Sequence, residues 1–408
     1  MTVSVLVSGM VCKLVKSLYG LKQSSRQWNA KHTEELLQLG FVQTLADPSL
    51  FTKGTGDSFV ALLVYVDDMV LASPDEAQIH FIKEHLHNAF QIKDLGHLKY
   101  FLGLEIARNR KGICINQRKY ALELLDSSGF VHSKPVRSPM VPSKKLSKES
   151  GTRLIDTTQY RKLVGKLLYL TITRPDISFA TQQLSQFLDC PTDIHLQAAH
   201  RILRYIKGAP AQGHFFPANN QLCLKGFSDS DWAACPDTRR SVSGFCIFLG
   251  SALISWKAKK QVTVSRSSSE AEYRVIAATF CEIQWLCYLL KAMEVDMPTP
   301  AVLFTNSKSA LAIAENPVFH ERTKNIKLDC HLIREKLQNG IIKLLHVSSQ
   351  NQLADVFTKP HAPNTFLSFI TKLGLHNMYD PACGGIIEDK QANQSKMDSQ
   401  QKQNEEAE

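Results

Sequence analysis

The order of apolar runs over residues 222–358 constrains the fold of this chain more than any other feature. Three short runs, at 222–228, 244–249 and 253–257, read as successive antiparallel strands. A long helical pattern follows at 267–293, opened by Ser267-x-x-Glu270 in the form of a capping box. Then come a short buried strand at 301–305, helices at 308–315 and 328–338, a strand at 341–347 and a last short helix at 351–358. Three antiparallel strands followed by alternating helix and strand describe a mixed sheet with helices packed on it.

The region up to about residue 136 mixes strands with helices in a different order. Residues 62–71 read as a hairpin with Asp67 and Asp68 at its turn. A helix is expected over 75–90, where Ile79, Ile82 and Leu86 recur at helical spacing. A second strand pair is expected at 98–106 and 112–116, joined by a polar turn at 108–111. Residues 134–158 hold Pro135, Pro139 and Pro142 among Lys and Ser and read as a linker. Beyond it, Leu163, Leu167, Leu168 and Leu170 form a helical stripe that must end near Arg174, because Pro175 disfavours helix in the residue before it. Leu196, Ala199, Leu203 and Ile206 form another, stopped by Gly208. Its opposite face shows His200, Arg201, Arg204 and Lys207, either a solvated face or one that touches phosphates.

Charge narrows the partner. The chain of 408 residues carries a formal +10, and residues 378–408 carry seven acids against three lysines, which leaves +14 on the rest. So basic a body suggests a polyanion, nucleic acid first and an anionic membrane surface a distant second. The tail is too polar to bury a core and is expected to be disordered. No apolar run approaches the roughly 18 residues of a spanning helix, since 59–71 is broken by Asp67 and Asp68. No membrane association is therefore expected. The first twelve residues have no basic segment ahead of their apolar stretch, so no signal peptide is expected. Ten cysteines stand singly with no C-x-x-C pair, as in an intracellular protein with reduced thiols, in cytoplasm or nucleus and not secreted.

Three carboxylates of the last region are awkwardly placed for surface acids. Asp229 follows a strand, Glu272 lies on the apolar stripe of its helix one turn before Ile276, and Asp355 sits beside Leu353 and Ala354. An unpaired buried charge is costly, so such acids need a partner. Acids spread along the chain but facing one sheet are what a divalent metal site requires, and two such ions about 3.5–4 Å apart can activate a water and stabilise a leaving phosphodiester oxygen.

Five stretches then fall in a telling order: Phe227-Ser-Asp-Ser-Asp-Trp232, Arg240-Ser-Val-Ser-Gly-Phe245, Ile254-Ser-Trp-Lys257, Ser267-Ser-Ser-Glu-Ala-Glu-Tyr273 and Gln352-Leu-Ala-Asp-Val-Phe-Thr-Lys359. Together they resemble the ribonuclease H domain of copia-type retrotransposon Pol polyproteins. The first region resembles the end of the same polyprotein's reverse transcriptase, through Leu18-Tyr-Gly-Leu-Lys-Gln23, Tyr65-Val-Asp-Asp68 and Leu98-Lys-Tyr-Phe-Leu-Gly103. Nearly all of residues 12–377 is covered, including 160–170 and Thr173-Arg-Pro-Asp176 in the connecting helices.

The resemblance implies an α+β and α/β architecture: a truncated reverse-transcriptase palm and thumb over 1–136, a linker and helical connection over 137–216, a ribonuclease H-like mixed sheet over 217–377, and the acidic tail. It implies RNA-directed DNA synthesis and cleavage of RNA in RNA–DNA hybrids by two-metal chemistry with Mg2+, or Mn2+ in its place. The implied partners are RNA, DNA, their hybrid and dNTP. Asp67 would be a metal ligand with Asp68 beside it, and Gly20 and Gln23 match the segment lining the nucleotide and template site. Asp229, Glu272 and Asp355 match three of the four nuclease carboxylates. At the fourth place stands Asn306, whose neutral amide gives up one charge where charge is the main attraction for Mg2+. Asn325 and Lys327 also stand where the family usually shows His and Asp. The family's further polymerase Asp lies upstream of the first matching segment, and residues 1–11 contain no Asp or Glu. The chain is therefore expected to be inactive as an isolated polymerase and impaired as a nuclease. The competing readings are a non-catalytic nucleic-acid-binding protein and a degenerate relic.

Overall fold

The computed structural model describes residues 18, 20–143, 145–297, 299–316 and 327–378. Asn325, the side chain of Lys327 and residues 379–408 lie outside the described part. Two compact units are present, one formed by residues up to 97 with 288–295, the other by 98–287 with 296 onward.

In the first unit a four-stranded sheet runs in the order β1 (Val42–Gln43), β2 (Leu50–Lys53), β3 (Val60–Tyr65), β4 (Asp68–Ala72). Helices α1 (Ser24–Gln38) and α2 (Glu76–Phe90) supply the other half of its core. Alternation on β3 turns Val60 and Leu62 inward, where they meet Leu36 of α1 and Ile82 and Leu86 of α2. Asp75 caps α2 by accepting from the Ala77 N–H at 2.9 Å. The expected hairpin is present, and a two-residue turn at Val66 and Asp67 links β3 to β4.

The second unit holds two five-stranded sheets. The first contains β5 (Tyr100–Phe101), β6 (Leu104–Asn109) and β7 (Gly112–Asn116), continued by β8 (Gln212–Pro217) and closed by β14 (Leu375–Asn377) in the order β14-β8-β7-β6-β5. What reads in sequence as one strand over 98–106 is broken at Leu102 and Gly103, both at positive φ, which makes a tight hairpin turn. Tyr169 holds that turn by donating to the Leu102 carbonyl at 2.7 Å. The division by pattern at residue 136 therefore differs from the compact units, because β7 pairs with β8 about a hundred residues on, and β8 in turn with β14. Met378, the first residue of the expected tail, is buried against Asn116 and Ala211.

Helices α3 (Arg118–Ser127), α4 (Thr158–Leu170), α5 (Ser178–Ser185) and α6 (Asp193–Gly208) pack their leucine stripes into one core with Leu146 of the expected linker. The basic face of α6 is partly spent inside the unit: Arg204 Nε donates to the Lys134 carbonyl at 2.8 Å and Arg201 to Ser138 Oγ at 3.1 Å.

The second sheet comprises β9 (Leu224–Asp231), β10 (Val242–Leu249), β11 (Ala252–Lys260), β12 (Ala301–Thr305) and β13 (Ile342–His346), in the order β11-β10-β9-β12-β13. β9, β10 and β11 are antiparallel, whereas β12 and β13 run parallel to β9. This is the expected mixed sheet. Helix α7 (Ser268–Ala292) covers it at Gly226, where Ile283 and Thr279 come so close that a Cβ would crowd them. By length and composition α7 is the one described helix apolar enough to cross a membrane, although no unbroken apolar run marks it in sequence. Its Val275, Ile276, Phe280 and Ile283 are buried, as in the core helix of a globular unit. Helices α8 (Lys308–Glu315), α9 (Lys327–Gln338) and α10 (Pro363–Lys372) complete the element order.

One buried group gives this unit a pH dependence. His214 on β8 is 4% exposed, stacks on Trp256 with ring centroids 4.6 Å apart, and burial pushes its pKa down to about 4, with Arg174 acting the same way and Asp176 against it. Because the unfolded chain takes up this proton near pH 6.5 and the folded chain only near 4, stability is full above 6.5 and lost as pH falls toward 4. The unfolding free energy should fall by about 3 kcal/mol across that window, and His214→Phe should flatten that part of the slope in urea titrations at successive pH values. An unchanged slope in His214→Phe would refute the assignment.

Candidate active site

Asp229 is inside β9, not after it: its backbone pairs with Gly244 of β10, so the polar run Ser228–Asp231 continues the strand on ladder hydrogen bonds alone. The missing Cβ at Gly244 lets the 3-10 helix Leu353–Phe357 and its C-terminal neighbour lie directly on the sheet, since an added Cβ would come within 2.7 Å of Phe357 and Thr358. The expected helix over 351–358 takes this tighter form. Asp355 and Thr358 thereby reach Asp229.

Asp229 is 1% exposed and its oxygens are fully engaged. Thr358 Oγ1 donates to Oδ2, and Asn306 Nδ2 donates to Oδ1 at 3.4 Å. Lys359 Nζ stands 3.3 Å from Oδ1 and 3.2 Å from Oδ2, and 3.1 Å from Asp355 Oδ1. Burial alone would push the Lys359 ammonium down, but Asp229 and Asp355 outweigh it and hold its pKa above the usual lysine value. Asp355 is pushed up to about 6 by burial first and by the Asp229 charge second.

Glu272 projects from the first turns of α7 and is 8% exposed, and its Oε2 has no hydrogen-bond partner. Burial, and next the Asp229 carboxylate, push its pKa up to about 8, while a backbone hydrogen bond from Ser230 pulls the other way. Ser267 Oγ accepts from the Glu270 N–H at 3.2 Å, and the Glu270 carboxylate accepts from Arg266 N–H, a shifted capping box that fixes where α7 starts.

The structure thus brings together Asp229, Glu272, Asn306 and Asp355. Among the described residues no three His, Cys, Asp or Glu side chains stand ready at ligating distance. The Lys359 ammonium sits between two of the acids, Asp229 and Asp355. The donor chemistry suits a divalent ion, because Asp229, Glu272 and Asp355 offer hard carboxylate oxygens and Glu272 Oε2 is buried without a partner.

Asp67 and Asp68 stand exposed at the hairpin tip of the first unit. Val66 beside them has φ 56°, a strained conformation for a β-branched residue, and its carbonyl accepts from Trp28 Nε1 of α1 at 2.6 Å. Gly20, at φ 89°, and Gln23, the N-cap of α1, are exposed ahead of that helix.

A family profile described as reverse transcriptase (RNA-dependent DNA polymerase) matches residues 6–142. The chain is 46% identical over 365 residues, 90% of its length, to the retrovirus-related Pol polyprotein from transposon RE1 of Arabidopsis thaliana, of which it covers 25%. It is 33% identical over 276 residues to the putative transposon Ty5-1 protein of Saccharomyces cerevisiae, covering 67% of this chain and 90% of that one. The chain belongs to the copia-type retrotransposon Pol family. It spans about a quarter of the length of the RE1 polyprotein it matches. The fold is also similar to a foamy viral protease-reverse transcriptase in complex with RNA/DNA hybrid, at 11% identity and TM-score 0.44, over 81% of this chain and 39% of that one.

Within this copia-type chain, three neighbours of the site escape a reading by carboxylate motifs. Lys359 and Thr358 carry no acid, and only the i, i+4 spacing from Asp355 to Lys359 hints at the ion pair. Asp231 is two residues from Asp229 on one strand, hence on the same face. Burial raises its pKa, Lys359 lowers it and Asp229 raises it.

Proposed function

We propose that the second unit of this chain is a divalent-metal-dependent nuclease site for the RNA strand of RNA–DNA hybrids, weakened by the amide at Asn306. The observation that carries this reading is Glu272, a buried carboxyl with one unpartnered oxygen held beside Asp229 and Asp355. Asp229, Glu272 and Asp355 would hold Mg2+ or Mn2+, with the Asn306 amide oxygen as a neutral fourth donor after rotation of its side chain. When bound, such ions supply an activated water and charge for the leaving oxygen of a phosphodiester. The chain's own part is positional. Thr358 fixes the rotamer of Asp229 through its hydroxyl, the tight packing at Gly244 fixes Asp355, and burial of Glu272 keeps bulk water from that side.

The first unit, with Asp67 and Asp68 at a strained hairpin tip and Gly20 and Gln23 ahead of α1, is read by the same resemblance as part of an RNA-directed DNA polymerase palm, with dNTP and a primer–template as partners.

The test is cleavage of an RNA–DNA hybrid labelled on the RNA strand, with Mg2+ and with Mn2+, by wild type, Asp229→Asn and Asn306→Asp. Weak metal-dependent cleavage in wild type, none in Asp229→Asn and more in Asn306→Asp is the expected pattern. Salt-sensitive binding of the hybrid with cleavage by none of the three would replace this reading with that of a non-catalytic nucleic-acid-binding protein.

A further inference from the structure

A buried carboxylate needs a counter-charge, and in this chain the sequence supplies one. Lys359 lies within 3.1–3.3 Å of three oxygens belonging to Asp229 and Asp355. Its stem is flexible, its charge is a compact point, and its side chain is 34% exposed, so the ammonium has a way out to solvent. An ion ligated by Asp229 and Asp355 at about 2.1 Å would occupy the space the ammonium now fills. Two cations cannot share it.

We propose that Lys359 is a tethered counter-ion that holds Asp229 and Asp355 together in the metal-free chain, and that a divalent, oxygen-preferring cation enters only by displacing its ammonium. This rests on the reading of Asp229, Glu272 and Asp355 as a metal site. Lys359 then sets metal affinity from outside the ligand set. It lowers affinity by competing, and it spares the apo fold the repulsion of two adjacent acids. The displaced ammonium stays on its tether at the mouth of the site.

The experiment uses the full chain and Mn2+ alone, with free Mn2+ followed by electron paramagnetic resonance. Lys359→Met is expected to bind Mn2+ about tenfold more tightly than wild type, because the competing charge is gone. Its melting temperature in EDTA should fall below that of wild type and recover more on adding Mn2+. Equal or weaker Mn2+ binding by folded Lys359→Met, with wild type binding normally, overturns the proposal and leaves the metal-site reading standing. No Mn2+ binding by either chain, or binding that survives Asp229→Asn unchanged, overturns both.

Should Lys359→Met fail to fold, the wild-type chain carries the test through amine labelling read by peptide mass spectrometry. Modification of Lys359 should be several-fold faster with Mn2+ bound than in EDTA. An unchanged rate while Mn2+ is bound overturns the proposal.

Discussion

Asp176→Asn is expected to destabilise the second unit by about 3–5 kcal/mol, the cost of leaving a buried guanidinium without its carboxylate. Arg174 and Asp176 are each 1% exposed and form a two-pronged pair, Nη2 to Oδ2 at 2.8 Å and Nε to Oδ1 at 3.0 Å. Tyr205 donates to Asp176 Oδ2 at 2.7 Å, and Arg174 Nη1 donates to the Ala209 carbonyl at 2.8 Å. The group thus ties the turn at Pro175 to α6 and to the chain leaving it. It is satisfied only as a whole. Thermal unfolding followed by circular dichroism should show a drop of roughly 10 °C for Asp176→Asn. The triple change Arg174→Met, Asp176→Leu and Tyr205→Phe should recover most of it, because it removes both charges and the hydroxyl that pairs with them. A single change that shifts the midpoint by less than a degree or two would contradict this account.

Asn306→Asp is expected to raise divalent-metal affinity, and with it hybrid cleavage, by about tenfold or more. A unit charge about 4 Å from another is worth roughly 4 kcal/mol at an effective dielectric constant near 20, and twice that against a divalent ion. Repulsion from Asp229 and loss of water offset part of the gain. The present amide points its nitrogen at Asp229 Oδ1 across 3.4 Å, which soothes the carboxylate without the metal and contributes no charge with it. A carboxylate at 306 inverts both effects. Without metal the variant should melt lower than wild type, and with saturating Mg2+ the order should narrow or reverse. An Asn306→Asp chain with the same cleavage rate and the same Mg2+ dependence as wild type would show that the amide does not limit the site.

Much of the second sheet is legible in sequence, because its elements carry local signals. The strand Ala301–Thr305 and the helix Lys308–Glu315 fall where the apolar runs place them, and Asp229 has Asn306 within hydrogen-bond distance and Glu272 and Asp355 within electrostatic reach. The rest depends on partners far along the chain. Strands Gln212–Pro217 and Leu375–Asn377 are short and carry no alternation of their own, so only their pairing with Gly112–Asn116 and with each other defines them. Asp229 reads as a residue past its strand because Ser228–Asp231 is polar, yet the ladder to β10 continues through it. Leu102 hides a turn, since a leucine at positive φ is held there by Tyr169 some 67 residues away. Lys359 hides its reach in the same way, as Asp229 lies 130 residues before it.

If Asp229, Glu272 and Asp355 form one metal site with Lys359 as its tethered counter-ion, a bound ion must displace the ammonium. Crystals of the chain grown with Mn2+, measured near the manganese absorption edge, test it most directly. The expected result is an anomalous peak bounded by the Asp229, Glu272 and Asp355 carboxylates, with the Lys359 ammonium withdrawn from Asp229. An absent peak at saturating Mn2+, with Lys359 still bridging Asp229 and Asp355, would contradict it.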